Sequence, residues 1–234
     1  MTTASRCAAP RSDNAKAPPR VRPRGQGRRA VLLTLLPVLA CSTGCVQMAA
    51  VWANITGGDV VEPEFKLTKE PLLILIDDPN SLITEPQAVR DLHKAMAAIF
   101  LEFNVNRQVV PFENWQTFQR TAKNYNRLSV REIGEKLGAV QVLYLGVDRF
   151  TLQAEPGAPI YKGEFAVRVK VLSTEPKRDV RLWPREEAGR RIAVTTQPTP
   201  ADGDVSAADV ARELAEKLAD AVARLFYEHR ALDK

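Results

Sequence analysis

From Pro71 onward the apolar positions change period repeatedly, and each change marks a new element. "LLILIDD", Leu72 to Asp78, is a continuous apolar run between Pro71 and Pro79, the pattern of a strand buried on both faces. Over residues 84–103 the spacing becomes helical. Val89, Leu92, Met96, Ile99 and Phe103 recur at three or four, so one stripe should face a core. Thr84 stands in capping-box register with Gln87, and Pro86 is tolerated in a first turn. "RQVVPF", Arg107 to Phe112, then predicts a second strand. Strand, helix and strand at this spacing imply a right-handed unit with parallel strands.

Residues 113–122 predict a short helix carrying Trp115 and Phe118. Ser129 with Glu132 predicts a capping box, with Ile133 and Leu137 inward and Gly138 ending the helix. Two strand-like segments follow, at 140–154 and 161–174. The second places Phe165, Val167, Val169 and Val171 on one face and Arg168 and Lys170 on the other. "EPGAP", Glu155 to Pro159, joins them as an antiparallel hairpin. "VRLWP" and "RIAVTT" predict a further hairpin around residues 185–189. Ser206 with Asp209 opens a last helix whose stripe is Val210, Leu214, Leu218, Ala221 and Leu225. The order predicts one α/β (mixed α+β) domain over residues 71–230, with a four- to five-stranded mixed sheet under packed helices.

Upstream the pattern differs. Residues 45–70 mix Gly57-Gly58, Pro63 and alternating apolar positions, which suits an extended tether with room for one short strand. Residues 30–44 are uncharged, and Val31 to Ala40 is an apolar run of h-region length behind Arg28 and Arg29. A core helix should show a polar face, and "AVLLTLLPVLA" shows none. The uncharged stretch from Ala30 to Ile55 is long enough for a membrane span, but Pro37, Ser42, Thr43, Gly44, Gln47 and Asn54 dilute it. An export signal over residues 1–44 fits best.

Charge supports that division. Residues 1–29 hold seven arginines and Lys16 against Asp13 alone, a net +7. That leaves −2 of the whole chain's +5 for everything from Cys45 onward. The basic balance therefore belongs to the leading segment, and no nucleic-acid footprint is expected on the body. The only cysteines are Cys7, Cys41 and Cys45, so the body has no disulfide and no thiolate chemistry.

Small residues before a cysteine, behind a basic and then an apolar run, make this segment resemble a bacterial lipoprotein signal. Two frames exist, "VLAC" ending at Cys41 and "STGC" ending at Cys45. Gly44 and the short polar stretch Ser42 to Gly44 favour Cys45 as the lipid-bearing residue, with Cys41 second. The resemblance implies removal of the signal, acylation of the cysteine (palmitate among the acyl groups), and anchoring to an envelope membrane. It further implies a periplasm-facing body, on the outer membrane in preference to the inner.

"SVREIGEKLGAVQVLYLGVDRF", Ser129 to Phe150, with the meander of Phe165 to Thr174 and Trp183 behind it, is similar to TolB N-terminal-like domains. Such domains occur in curli-pore subunits and in lipoprotein activators of penicillin-binding proteins. The resemblance spans roughly residues 71–228 and implies a non-catalytic binding or assembly module for another envelope component. An oligomeric export subunit is the alternative, although no amphipathic hairpins long enough to cross a membrane are present.

Little else in the body points to chemistry. His93 lies beside the stripe of the first helix and His229 near the C-terminus, neither with metal-ligand partners at suitable spacing. Nucleophile-elbow and phosphate-loop motifs are absent, and no cofactor or metal is expected. Asp77 and Asp78 end the first strand, where ligands gather in α/β sheets. They offer a low-ranked ligand edge, or the acid and base of a metal-dependent enzyme, against the plainer role of a turn. Trp115 and Trp183 offer possible partner anchors against the plainer role of core.

Overall fold

The computed structural model describes residues 60–231, apart from positions 156, 177, 179, 202 and 203. The signal segment, Cys41, Cys45 and the tether up to residue 59 lie outside the described residues.

The central sheet has five strands and is mixed, as the sequence predicts. Strand β1 is Val60–Val61, and β2 is Leu72–Asp77. Helices α1 (Gln87–Glu102), α2 (Phe112–Thr121) and α3 (Val130–Lys136) follow. Then come β3 (Gln141–Thr151), β4 (Ile160–Tyr161), β5 (Glu164–Ser173), β6 (Arg181–Trp183) and β7 (Arg190–Thr195). The chain closes with β8 (Thr199–Pro200), α4 (Ala207–Ala223) and β9 (His229–Arg230).

Strand β2 runs parallel to β3, from Leu72 opposite Gln141 to Asp77 opposite Gly146. Strands β3 and β5 form the expected antiparallel hairpin. The far edge of β5 is shared end to end: β7 pairs with Glu164 to Val169, and β6 with Val171 and Leu172. The hairpin expected between β6 and β7 is therefore replaced, because both segments find their ladder partners on β5.

The expected strand at 107–112 is also corrected. Leu72 N–H donates to Gln108 O at 2.9 Å and Val110 N–H to Leu72 O at 2.8 Å, and Val109 forms only a single parallel bridge. Pro111 has no N–H to continue a ladder, and Phe112 already begins α2. The parallel partner of β2 is β3, reached by a crossover containing α1, α2 and α3.

Phe165, Val167, Val169 and Val171 are fully buried, facing the layer formed by α1 and α4. The α4 stripe is wider than expected, adding Ala211, Ala215, Ala219 and Val222 to Val210, Leu214 and Leu218, while the expected Ala221 is only half-buried. Its small residues let the helix lie close. A Cβ on Gly163 would stand 2.6 Å from Leu214 Cδ1, and here the expected strand from Tyr161 breaks. On the other sheet face, α3 packs so closely that a Cβ on Gly134 would stand 2.6 Å from Val142 and Thr174 methyls.

Residues 60–70 lie against the body. β1 pairs with β9, Phe65 N–H donates to Leu225 O at 3.2 Å, and Leu67 is buried. Buried Asn106 donates to the carbonyls of Thr68 and Glu70, both at 2.8 Å, satisfying backbone that a free arm would leave to water.

Candidate functional site

The two aspartates that close β2 part company. Strand alternation sets Asp77 beside Tyr144 of β3, whose hydroxyl donates to Asp77 Oδ2 at 2.7 Å. Burial, then the Asp77 hydrogen bond and charge, push the Tyr144 hydroxyl well above the usual phenol range. Tyr144 therefore stays a neutral donor at any ordinary pH. Asp78 instead accepts the N–H groups of Leu82 and Ile83 at 2.9 and 2.8 Å, which ties the following loop in place. Both carboxylates thus have partners within the fold. Among the described residues no three His, Cys, Asp or Glu side chains assemble as a metal site.

Helix α1 carries two aromatic groupings. Its apolar face is Ala88, Leu92, Met96 and Phe100, together with His93. His93 is buried between Phe112, at 5.5 Å, and Trp115, at 6.4 Å. Burial lowers its pKa to about 4, against the raising influence of Glu113 and the Val110 backbone. Its Nε2 has no partner within the fold. Trp115 is interior, and its indole N–H donates to Tyr125 Oη at 2.9 Å. Trp183 is half-buried between Phe65, at 6.3 Å, and Phe226, at 5.9 Å.

Phe103 corrects the expected stripe. Asn104, at φ 52°, turns the chain just beyond the helix, and Phe103 is left 47% exposed. Its ring stacks on Tyr227 with centroids 4.2 Å apart and planes 11° from parallel. His229 lies 5.8 Å beyond Tyr227. Two open clefts flank this stack. One, of about 350 Å³, runs along Glu62, Lys66, Lys69 and Val105; the other, of about 530 Å³, along Val60, Arg224, Glu228 and Arg230. Sequence periodicity did not find this surface, because the contact between Phe103 and Tyr227 joins residues far apart in the chain. The signal available was the helix-ending "FN" at Phe103-Asn104.

On the exposed sheet face a β-bulge at Asp148 re-aims its carboxylate. Asp148 accepts Arg168 Nε at 2.9 Å and lies 3.9 Å from Arg191. Those arginines face each other across β5 and β7, so the carboxylate offsets a like-charge pair.

No helix among the described residues is long and apolar enough to cross a membrane. No protein-family profile matches the chain, and no curated protein is similar to it in sequence. Several solved structures are similar. A PelC dodecamer from Paraburkholderia phytofirmans matches at 12% identity and TM-score 0.36, covering 74% of this chain and 99% of its own. The lipoprotein GNA1162 from Neisseria meningitidis matches at 14% identity and TM-score 0.38, over 65% of this chain and 94% of that one. The hypothetical protein CT253 from Chlamydia trachomatis matches at 11% identity and TM-score 0.35, covering 66% and 96%. At these levels the likenesses say nothing of what this chain binds.

Proposed function

We propose that the chain is an exported bacterial envelope lipoprotein, acylated at Cys45, whose TolB-N-like body is a non-catalytic binding or assembly module for another envelope component. One observation carries this reading: the ordered run of Arg28-Arg29, the apolar Val31 to Ala40, the small residues Ser42 to Gly44, and then Cys45. Each part is common alone; their order is what a lipoprotein signal requires. Two or more acyl chains on one cysteine anchor stably. Anchoring raises the local concentration of the body near its partner, so a modest contact suffices. The body faces the periplasm, from the outer membrane in preference to the inner.

Intact mass of the mature chain tests this. The expected N-terminus is an acylated Cys45, lost in Cys45→Ser and retained in Cys41→Ser. An unmodified chain starting at Met1 overturns the reading. The non-catalytic assignment is tested by titrating divalent cations into Asp77→Asn and Asp78→Asn. Metal-dependent stabilisation present in the native chain and lost in both variants would make the β2 edge an enzyme's metal site instead.

A further inference from the structure

We propose that the cleft around Phe103 and Tyr227 is where the body meets the surface of a phospholipid bilayer, an inference that rests on the lipid-anchored reading above. Val60, Phe103 and Tyr227 line one cleft, and Val60 and Phe103 are 58% and 47% exposed. A stacked phenyl and phenol with one edge open is the amphipathic chemistry that settles between lipid headgroups and acyl chains. A soluble body with no partner there would gain by burying them.

The path of the chain selects a bilayer over other occupants. The described body begins at Val60, on the rim of this cleft, and the residues leading to it start at the lipid-bearing Cys45. Between Cys45 and Gly58 no residue is charged, and Val46, Met48, Val51, Trp52 and Ile55 are apolar. From Cys45 to Val60 the chain can reach at most about 50 Å when fully extended, at ~3.4 Å per residue. The cleft is thus the part of the body closest along the chain to the lipid-bearing cysteine.

Charge around the cleft is close to balanced, with Lys66, Lys69, Arg224 and Arg230 against Glu62, Glu228 and Asp220. Lys66 and Arg230 stand beside Glu62 and Glu228. Arg224 is held by Asp220 at 2.8 Å, and Lys69 donates to the Asn104 and Val105 carbonyls. The contact is therefore aromatic and apolar, not an attraction to anionic headgroups, and it should change little with salt.

The test uses the full mature chain, anchored in phosphatidylcholine vesicles and carrying one polarity-sensitive fluorophore. The fluorophore is placed at Phe103→Cys, with Val60→Cys as a second position that leaves the Phe103–Tyr227 stack intact. Ile160→Cys, at an exposed apolar residue outside the cleft, is the reference. Emission at positions 60 and 103 should shift to the blue on vesicles. Quenching there by lipid-borne quenchers should be several-fold stronger than at 160, at both low and high salt. Labels at 60 and 103 that stay aqueous on a chain still floating with the vesicles overturn the proposal and leave the anchor standing. Labels already shielded without vesicles also overturn it. Shielding that grows with protein concentration would assign the cleft to a second copy, and shielding independent of concentration to residues 46–59. A chain that carries no lipid fails instead in the mass measurement, which reports separately.

Discussion

Midway along α1, His93 sits with Phe112 and Trp115 inside the body, while just past its end Phe103 stacks on Tyr227 in the open. Both groupings are aromatic, and one helix positions both. At the inner one, α2 and the turn at Tyr125 close over the rings, and the Trp115 indole finds its acceptor there. At the outer one, the β1–β9 ribbon and the segment from Glu62 to Lys69 border open clefts, and Val60 and Phe103 stay exposed. The difference separates aromatic residues that hold the fold from aromatic residues left exposed at its surface.

That contrast can be broken by measurement. Trp115→Ala should cost the most, about 3–5 kcal/mol for a buried tryptophan, read from urea unfolding. A cost under 1 kcal/mol would mean that the inner grouping is not closed. Next comes pH. His93 titrates at about 4 in the fold against 6.5 unfolded, so between those values the unfolded chain binds the extra proton. Its contribution is complete above pH 6.5, falls as pH drops, and is gone by about pH 4, a loss of up to about 3 kcal/mol. His93→Leu should flatten the stability profile across that window. An unchanged slope would place the histidine in contact with water.

Smaller effects sharpen the same line. Gly134→Ala should cost about 1–3 kcal/mol by crowding α3 against Val142 and Thr174, lowering the thermal midpoint. Phe103→Ala should cost least, under about 1 kcal/mol, because a half-exposed ring loses little burial. If its unfolding midpoint falls as far as that of Trp115→Ala, the outer stack is part of the core and not a contact surface.

How much was legible depended on sequence distance. Two of the three helix starts are capped where the sequence placed them, Ser129 with Glu132 and Ser206 with Asp209. A capping box is closed by residues three apart, so it needs no distant partner to form. The alternation of Phe165 to Val171 held for the same reason. The capping box expected from Thr84 is absent: α1 starts behind Pro86 with no side-chain cap. The strand at 107–112 had the right composition and only one bridge's worth of ladder, since its neighbours beyond Leu72 were already set by Pro111 and α2. At the candidate site, sequence order brought Asp77 and Asp78 together, and the sheet then turned one to Tyr144 and the other to its own loop.

The chain by itself determined the division between a basic N-terminal segment, an uncharged stretch holding Cys41 and Cys45, and a mixed α/β body. Charge, period and local capping are properties of neighbours, and neighbours are what a sequence records. Only the tertiary structure decided that β2 pairs with β3, that β6 and β7 share one edge of β5, and that His93 is buried while Phe103 is not. Each of those depends on which distant segment arrives first to satisfy a backbone group or cover an apolar face, and no spacing along the chain encodes that competition.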